Sequence, residues 1–272
     1  MKKILILDGY NLIYRARHSV PRWHQENEHS IIYSFFRSLR PLVEKFDPDK
    51  VYFVTEGYPR LRMEASSEYK GTRGREKDQN FKDQKDQIIS LLSDYFPVEV
   101  VRHPDYECDD VIGFLAAKEH ALDDCIVVST DTDFIQLYNT TNHVQIYNPI
   151  RKVFVTRPNF DYVRWKALRG DSSDNIAGFV GIGNKRATAL LESSEKLKEF
   201  LDAEPGRKEK FEHNIFMIKF HDMSLVEDEF ERSLTHPQWD NLKYVFEKMK
   251  FKSITNDKSW DKFKNTFSNL ES

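Results

Sequence analysis

Glu107, Asp109 and Asp110 place three carboxylates within four positions, directly ahead of the apolar residues Val111, Ile112, Phe114 and Leu115. The helical spacing of that run sets the acids at or just before a helix N-terminus, where the dipole favours negative charge. The dipole is worth about 1 kcal/mol at best, too little to hold three like charges together. Such a cluster needs divalent cations, or else it is a solvated N-capping turn on an ordinary surface helix. Further acids decide between the two. Asp8, Glu56, and Asp131 with Asp133 each close an apolar run, and Asp171 and Asp174 lie in Arg169-Gly170-Asp171-Ser172-Ser173-Asp174. With no His or Cys set nearby, the donors are hard oxygens, which select Mg2+ or Mn2+ over zinc. Two such ions about 4 Å apart can polarise a phosphodiester, generate a hydroxide and stabilise the leaving oxygen.

Bringing these acids together takes a sheet. Residues 3–8, 51–56 and 125–129 read as buried strands, too continuously apolar to be half exposed. Helical patterns fill the gaps, notably 31–46 and 81–95, and this alternation predicts an α/β fold with a mostly parallel central sheet flanked by helices. The stretch 144–155, broken by Pro149, reads as a small edge hairpin. In a parallel sheet the strands' carboxyl ends share one edge, where ligands bind. One acid after one strand is commonplace. Acids after three strands, beside Glu107, Asp109 and Asp110, predict a site.

From Tyr162 onward the pattern is helical. Gly181-Ile182-Gly183 joins two helices and precedes Lys185 and Arg186. A Gly-x-Gly turn followed by cations forms a backbone nest able to hold a phosphate, suited to a sequence-independent grip on nucleic acid. Arg60, Arg62, Lys70, Arg73 and Arg75, with Tyr69 among them, make a cationic stretch. It is either a solvated loop or a mobile element above the acid edge that handles a phosphodiester. The aromatic tail (Trp239, Phe246, Trp260, Phe263, Phe267) reads as core-facing sides of terminal helices.

With 272 residues, 39% hydrophobic and 31% charged, the chain is a soluble globular protein with room for a proper core. Cys108 and Cys125 form neither a disulfide framework nor a zinc spacing, which points to a reducing cytoplasm. Asp8 ends the N-terminal apolar run after four residues, too short for a signal peptide. No stretch approaches the roughly 20 apolar residues of a membrane span. The net charge of −3 is neutral on a nucleic-acid partner, because the nine candidate metal-site acids outweigh it.

Taken in order, these motifs resemble the structure-specific 5′ nucleases: flap endonucleases, phage 5′→3′ exonucleases of the ribonuclease H type, and the N-terminal nuclease domain of polymerase I-type enzymes. The resemblance rests on residues 7–15, 69–73, 106–113, 129–137 and 169–176, and on 178–187, which matches the family's helix–three-turn–helix. It implies a PIN-like α/β domain over 1–160 with a basic arch at about 60–95. A helical DNA-binding part over 161–272 would carry the helix–three-turn–helix at about 170–192, packed as one unit. The resemblance assigns Asp8, Glu56, Glu107 and Asp109 to one ion and Asp131, Asp133 and Asp174 to a second, with Asp110 and Asp171 acting directly or through water. Lys70 and Arg73, with Arg15 as a further candidate, would meet the scissile phosphate. Arg60, Arg62, Tyr69, Arg75, Gly181, Gly183, Lys185 and Arg186 would hold DNA, and the family often binds K+ at that turn. The family usually carries an aspartate at the second strand end, so the equivalent here is Glu56 or, without a one-residue deletion, Thr55. The implied reaction is hydrolysis near 5′ ends or flaps of DNA, or of RNA·DNA hybrids as in primer removal, by a monomer in bacterial or phage-infected cytoplasm. A DNA-structure-binding relative without turnover would share the fold. A sugar-nucleotide transferase could use Asp131-Thr132-Asp133 as a metal-binding Asp-x-Asp, but would not need the helical Gly-x-Gly module.

Overall fold

The computed structural model describes residues 1–21, 24, 27–74 and 76–270. Strand β1 (Lys3–Asp8) runs straight into helix α1 (Gly9–Ser19), because Asp8 ends the strand and caps the helix, its carboxylate accepting from Asn11 N at 3.2 Å. Helix α2 (Ser30–Phe46), strand β2 (Lys50–Val54) and helices α3 (Arg60–Ala65) and α4 (Gln79–Tyr95) follow. Then come β3 (Glu99–Arg102), α5 (Cys108–Phe114), β4 (Asp124–Val128), a 3-10 helix at Asp133–Asn139, and the strands β5 (Val144–Asn148) and β6 (Val153–Phe154). Helix α6 (Tyr162–Arg169) enters a two-strand ribbon, β7 (Gly170–Asp171) and β8 (Ile176–Ala177). Beyond it lie α7 (Asn184–Leu191), α8 (Ser194–Asp202) and α9 (Arg207–Ile218). The chain closes with β9 (Glu231–Ser233), α10 (Trp239–Lys248), α11 (Lys252–Thr255) and α12 (Asp257–Phe267).

The main sheet has the order β6-β5-β4-β1-β2-β3-β9. Its five inner strands are parallel and its two edge strands antiparallel. Strand β1 lies at the centre with Ile4, Leu5, Ile6 and Leu7 all fully buried. Leu5 and Leu7 face a core built with α1, α2, α4 and α10–α12, while Ile4 and Ile6 face α5 and the 3-10 helix. The strand order reverses between β1 and β4, and in such sheets the crevice at that switch point is where ligands bind. A third core, made by α6–α9 with Tyr69, supports the helical module.

Four features differ from the sequence reading. Residues 79–95 are not part of an arch: α4 is a core helix, with Phe81, Ile88, Leu91 and Leu92 buried against the sheet. The first helix of the turn module is α6, so that unit begins at Tyr162 rather than near 170. Residues 161–272 are not one packed unit either. After α9 the chain returns, adding β9 to the sheet edge and packing Trp260, Phe263 and Phe267 into the first core. Strand β3 escapes the sequence pattern because Glu99 and Arg102 interrupt its apolar run. Glu99 is nonetheless buried, matched by Lys50 at 2.8 Å and Arg232 at 3.0 Å.

Candidate active site

At the switch point a cleft of about 780 Å3 opens over the carboxyl ends of the strands. Eight of the nine predicted acids line it: Asp8 from β1, Glu56 just past β2, Glu107 and Asp109 from the start of α5, Asp131 and Asp133 after β4, and Asp171 and Asp174 from the ribbon. Four cations share the lining, Lys70, Arg73, Lys166 and Arg169. Polar bridges hold the two central strands in register at the rim. Ser129 Oγ donates to Asp8 at 2.6 Å, and Asn11 exchanges hydrogen bonds with Thr130 at 2.6 and 3.2 Å. Glu56, not Thr55, reaches the cleft, since Thr55 is buried with its N–H on Val101 O at 3.0 Å. Gly57 lets the chain turn there, because a Cβ would sit 1.8 Å from His103 O.

Burial governs the electrostatics. It pushes the Asp8 carboxyl up to about 7, with Glu56 and Asp131 adding to the rise. Burial likewise raises Glu56, and it raises Asp109 well above the carboxylate range with help from Asp131, Asp8 and Glu56. The Cys108 thiol sits among these three, 3.4 Å from Glu56, 3.4 Å from Asp109 and 4.0 Å from Asp8. Burial and those charges push it up too. On the other side of the cleft, burial lifts Asp133 to about 6 against the pull of Lys166. It also lifts Asp174, despite Lys70 and Arg73. For Asp171, burial is outweighed by hydrogen bonds from Lys166 and Ser173, and its carboxyl lies below the usual range. Carboxylate oxygens of Asp133, Asp171 and Asp174 lie within 4.8 Å of one another. Hard-oxygen donors crowded and desolvated in this way fit a divalent cation that would replace their protons.

Side-chain cations already occupy part of the cluster. Lys70 Nζ donates to Glu107, Arg73 meets Asp174 at 2.5 Å, and Lys166 bridges Asp133 and Asp171, the latter at 2.5 Å. Lys70 adopts left-handed backbone (φ 53°). The surrounding acids, Glu107 and Glu56 foremost, keep it charged against the opposing effect of burial.

Four predicted roles change, those of Asp110, Arg62, Tyr69 and Arg15. Asp110 is fully buried outside the cleft, paired two-fold with Arg62 at 2.6 and 2.8 Å and accepting from His221 N at 2.8 Å, so no oxygen is left for an ion. Its spacing from Glu107 forms a capping box at the start of α5. Arg62 is 3% exposed and spends its other donors on Glu107, Met217 O and Lys219 O, which removes it from any DNA surface. Tyr69 is buried as well, its hydroxyl donating to Glu107 at 3.0 Å. Arg15 lies half-buried outside the cleft lining, with Tyr147 as its ionisable neighbour, and Arg60 pairs with Asp105 at 2.6 Å. Arg75 falls outside the described residues. Gly181 (φ 75°), Gly183, Lys185 and Arg186 are exposed together at the start of α7, outside the cleft lining. Lys166, Ser129 and Asn11 were missed. In the sequence, Lys166 reads as one more cation on a polar helix, and only the tertiary fold turns it onto two acids.

A family model described as 5′-3′ exonuclease, N-terminal resolvase-like domain, matches residues 3–164. A 5′-3′ exonuclease of Mycoplasmopsis pulmonis (strain UAB CTIP) is 28% identical over 213 residues, covering 74% of this chain and 70% of that protein. Among solved structures, zinc-bound T5 5′-exonuclease is 21% identical with a TM-score of 0.61, covering 99% of this chain and 100% of that one. Flap endonuclease-1 from Methanococcus jannaschii is 20% identical with a TM-score of 0.66, covering 98% and 93%. These two share the fold. The chain also matches DNA polymerase I proteins, of whose length it spans a third or less.

Proposed function

The chain belongs to the 5′-3′ exonuclease family, and from that premise we propose that it hydrolyses phosphodiesters at 5′ ends and flaps of DNA. The observation that carries the reading is the gathering of eight carboxylates, from five separate stretches of chain, around one cleft. Asp8, Glu56 and Asp109 would hold one Mg2+ (or Mn2+), with Glu107 at its edge, and Asp131, Asp133, Asp171 and Asp174 a second. Bound there, the ions would supply Lewis-acid activation of the phosphodiester and of water. The chain's own part is electrostatic and positional. Lys70 and Arg73, released from Glu107 and Asp174 as those charges are matched, face the scissile phosphate and oppose its developing charge. Helix α7 has no acid in its first turn and no side-chain cap, but carries Lys185 and Arg186 there. Its N-terminus with Gly181 and Gly183 therefore suits a backbone phosphate, and K+ at the turn is carried over from the family resemblance alone. RNA·DNA hybrids are substrates on the same grounds, since the grip reads backbone rather than bases. The protein acts as a monomer in the cytoplasm; among the described residues no helix is long and apolar enough to cross a membrane.

End-labelled flap, nicked, gapped and hybrid substrates under single-turnover conditions with Mg2+ test the reading. Asp131→Ala or Asp174→Ala should abolish cleavage while DNA binding persists, and Lys70→Ala should slow it by about 10²–10³-fold. Full cleavage in EDTA would reject the assignment. Binding with no turnover by the unaltered protein would mark a structure-binding relative.

A further inference from the structure

The loop that carries Lys70 and Arg73 is tied less to the sheet than to the ribbon of the helical module. Lys70 N donates to Asp174 O at 3.1 Å, and Arg73 Nε donates to Ser173 O at 3.2 Å. The Tyr69 ring belongs to the module's own core. Beside the Arg73–Asp174 ion pair at 2.5 Å, a further tie is the side chain of Asn175, whose Nδ2 donates to Glu68 O at 3.0 Å. That carbonyl also accepts from Gly71 N at 2.9 Å, so the turn leading through Lys70 closes on it from both sides. Asn175 is exposed and left-handed (φ 59°), a conformation that asparagine and glycine accept most readily. Lys70 is left-handed as well. Two such residues facing each other across one set of hydrogen bonds describe a clamp rather than a chance contact.

We propose that Asn175 is a positioning residue: its amide fixes the Glu68–Lys70 turn so that the Lys70 ammonium stands over the acids. This deepens the nuclease reading and rests on it. Reacting groups displaced by about 1 Å can lose 10²-fold in rate, so a clamp on the backbone two residues from Lys70 acts on catalysis rather than on substrate affinity. The same ribbon carries Asp171 and Asp174, so the cations and this half of the acid cluster share one support.

Two variants separate the roles. Asn175→Gly keeps the left-handed backbone and removes only the amide. Asn175→Asp keeps the shape and leaves nothing that can donate to Glu68 O. Each should lower the single-turnover rate constant on a flap substrate at saturating Mg2+ by tenfold or more, with Kd for that DNA within twofold of the unaltered protein. Because the effect runs through Lys70, Asn175→Gly combined with Lys70→Ala should be no slower than Lys70→Ala alone, within twofold. Rates within twofold of the unaltered protein, a loss expressed in Kd, or losses that multiply in the double variant would each overturn the assignment. Failure of the unaltered protein to cleave at all would sink the nuclease reading and this inference together. Normal cleavage with indifferent variants would sink this inference alone.

Discussion

Desolvated carboxylates should make the metal-free protein less stable as pH rises, the reverse of what paired surface acids do. Asp8 is held at about 7 and Asp133 at about 6, each from an ordinary 3.8. A carboxyl raised on folding stabilises the fold while it is protonated. That contribution is complete below 3.8 and is lost as pH climbs through the folded value. Between pH 5 and 8 the unfolded chain is ionised at both positions throughout. At 1.36 kcal/mol per unit, Asp8 then loses roughly 3 kcal/mol and Asp133 roughly 1 kcal/mol. The combined ~4 kcal/mol corresponds to a fall of roughly 8–16 °C in Tm for a chain of this size. Asp171 does not intrude, because its lowered carboxyl titrates below this window. Excess Mg2+ favours the ionised form, so the fall should vanish or reverse. The measurement is Tm by circular dichroism from pH 5 to 8, in EDTA and in Mg2+. Asp8→Asn, which cannot ionise, should lack Asp8's share of the slope and exceed the unaltered protein in stability at pH 8 in EDTA. A metal-free Tm that is flat or rises over this range would refute the desolvated cluster.

Lys166→Met removes the ammonium between Asp133 and Asp171. It should cost about 3–5 kcal/mol in urea unfolding with EDTA, yet tighten Mg2+ binding by calorimetry, since nothing then competes for those oxygens. Weaker Mg2+ binding would show that Lys166 supports the ion site instead. Asp110→Ala strands the buried Arg62 guanidinium and should lower stability by about 3–5 kcal/mol, with Mg2+ affinity intact; tenfold weaker Mg2+ binding would return Asp110 to the ligand set. Lys185→Ala and Arg186→Ala should each weaken DNA binding alike across sequences and reduce the slope of log K against log salt by about 1. An unchanged slope would exclude phosphate contact.

The strands that position the acids were legible because their burial is total: runs such as Ile4–Leu7 and Ile126–Val128 have no polar residue to disguise them. Strand β3 was not, since Glu99 becomes tolerable in a strand only once Lys50 and Arg232 arrive from elsewhere in the fold. The acids at the strand ends could be listed from the sequence, but their charge partners could not. Asp109 and Asp110 are neighbours, yet helical rotation sends one into the cleft and the other back onto Arg62. The Glu107-x-x-Asp110 spacing of a capping box was the available signal, and it argued for structure at Asp110 rather than for an ion. Arg62 and Lys166 carry the same lesson from the cationic side, for each is read as surface until the fold buries it on two carboxylates. The partition has a consequence for the cleft. With Asp110 removed, eight acids face four cations, Lys70, Arg73, Lys166 and Arg169. Fully ionised, that lining carries four uncompensated negative charges in a desolvated site, a state that burying unmatched charge makes costly. Divalent cations bound by those carboxylates would offset that excess.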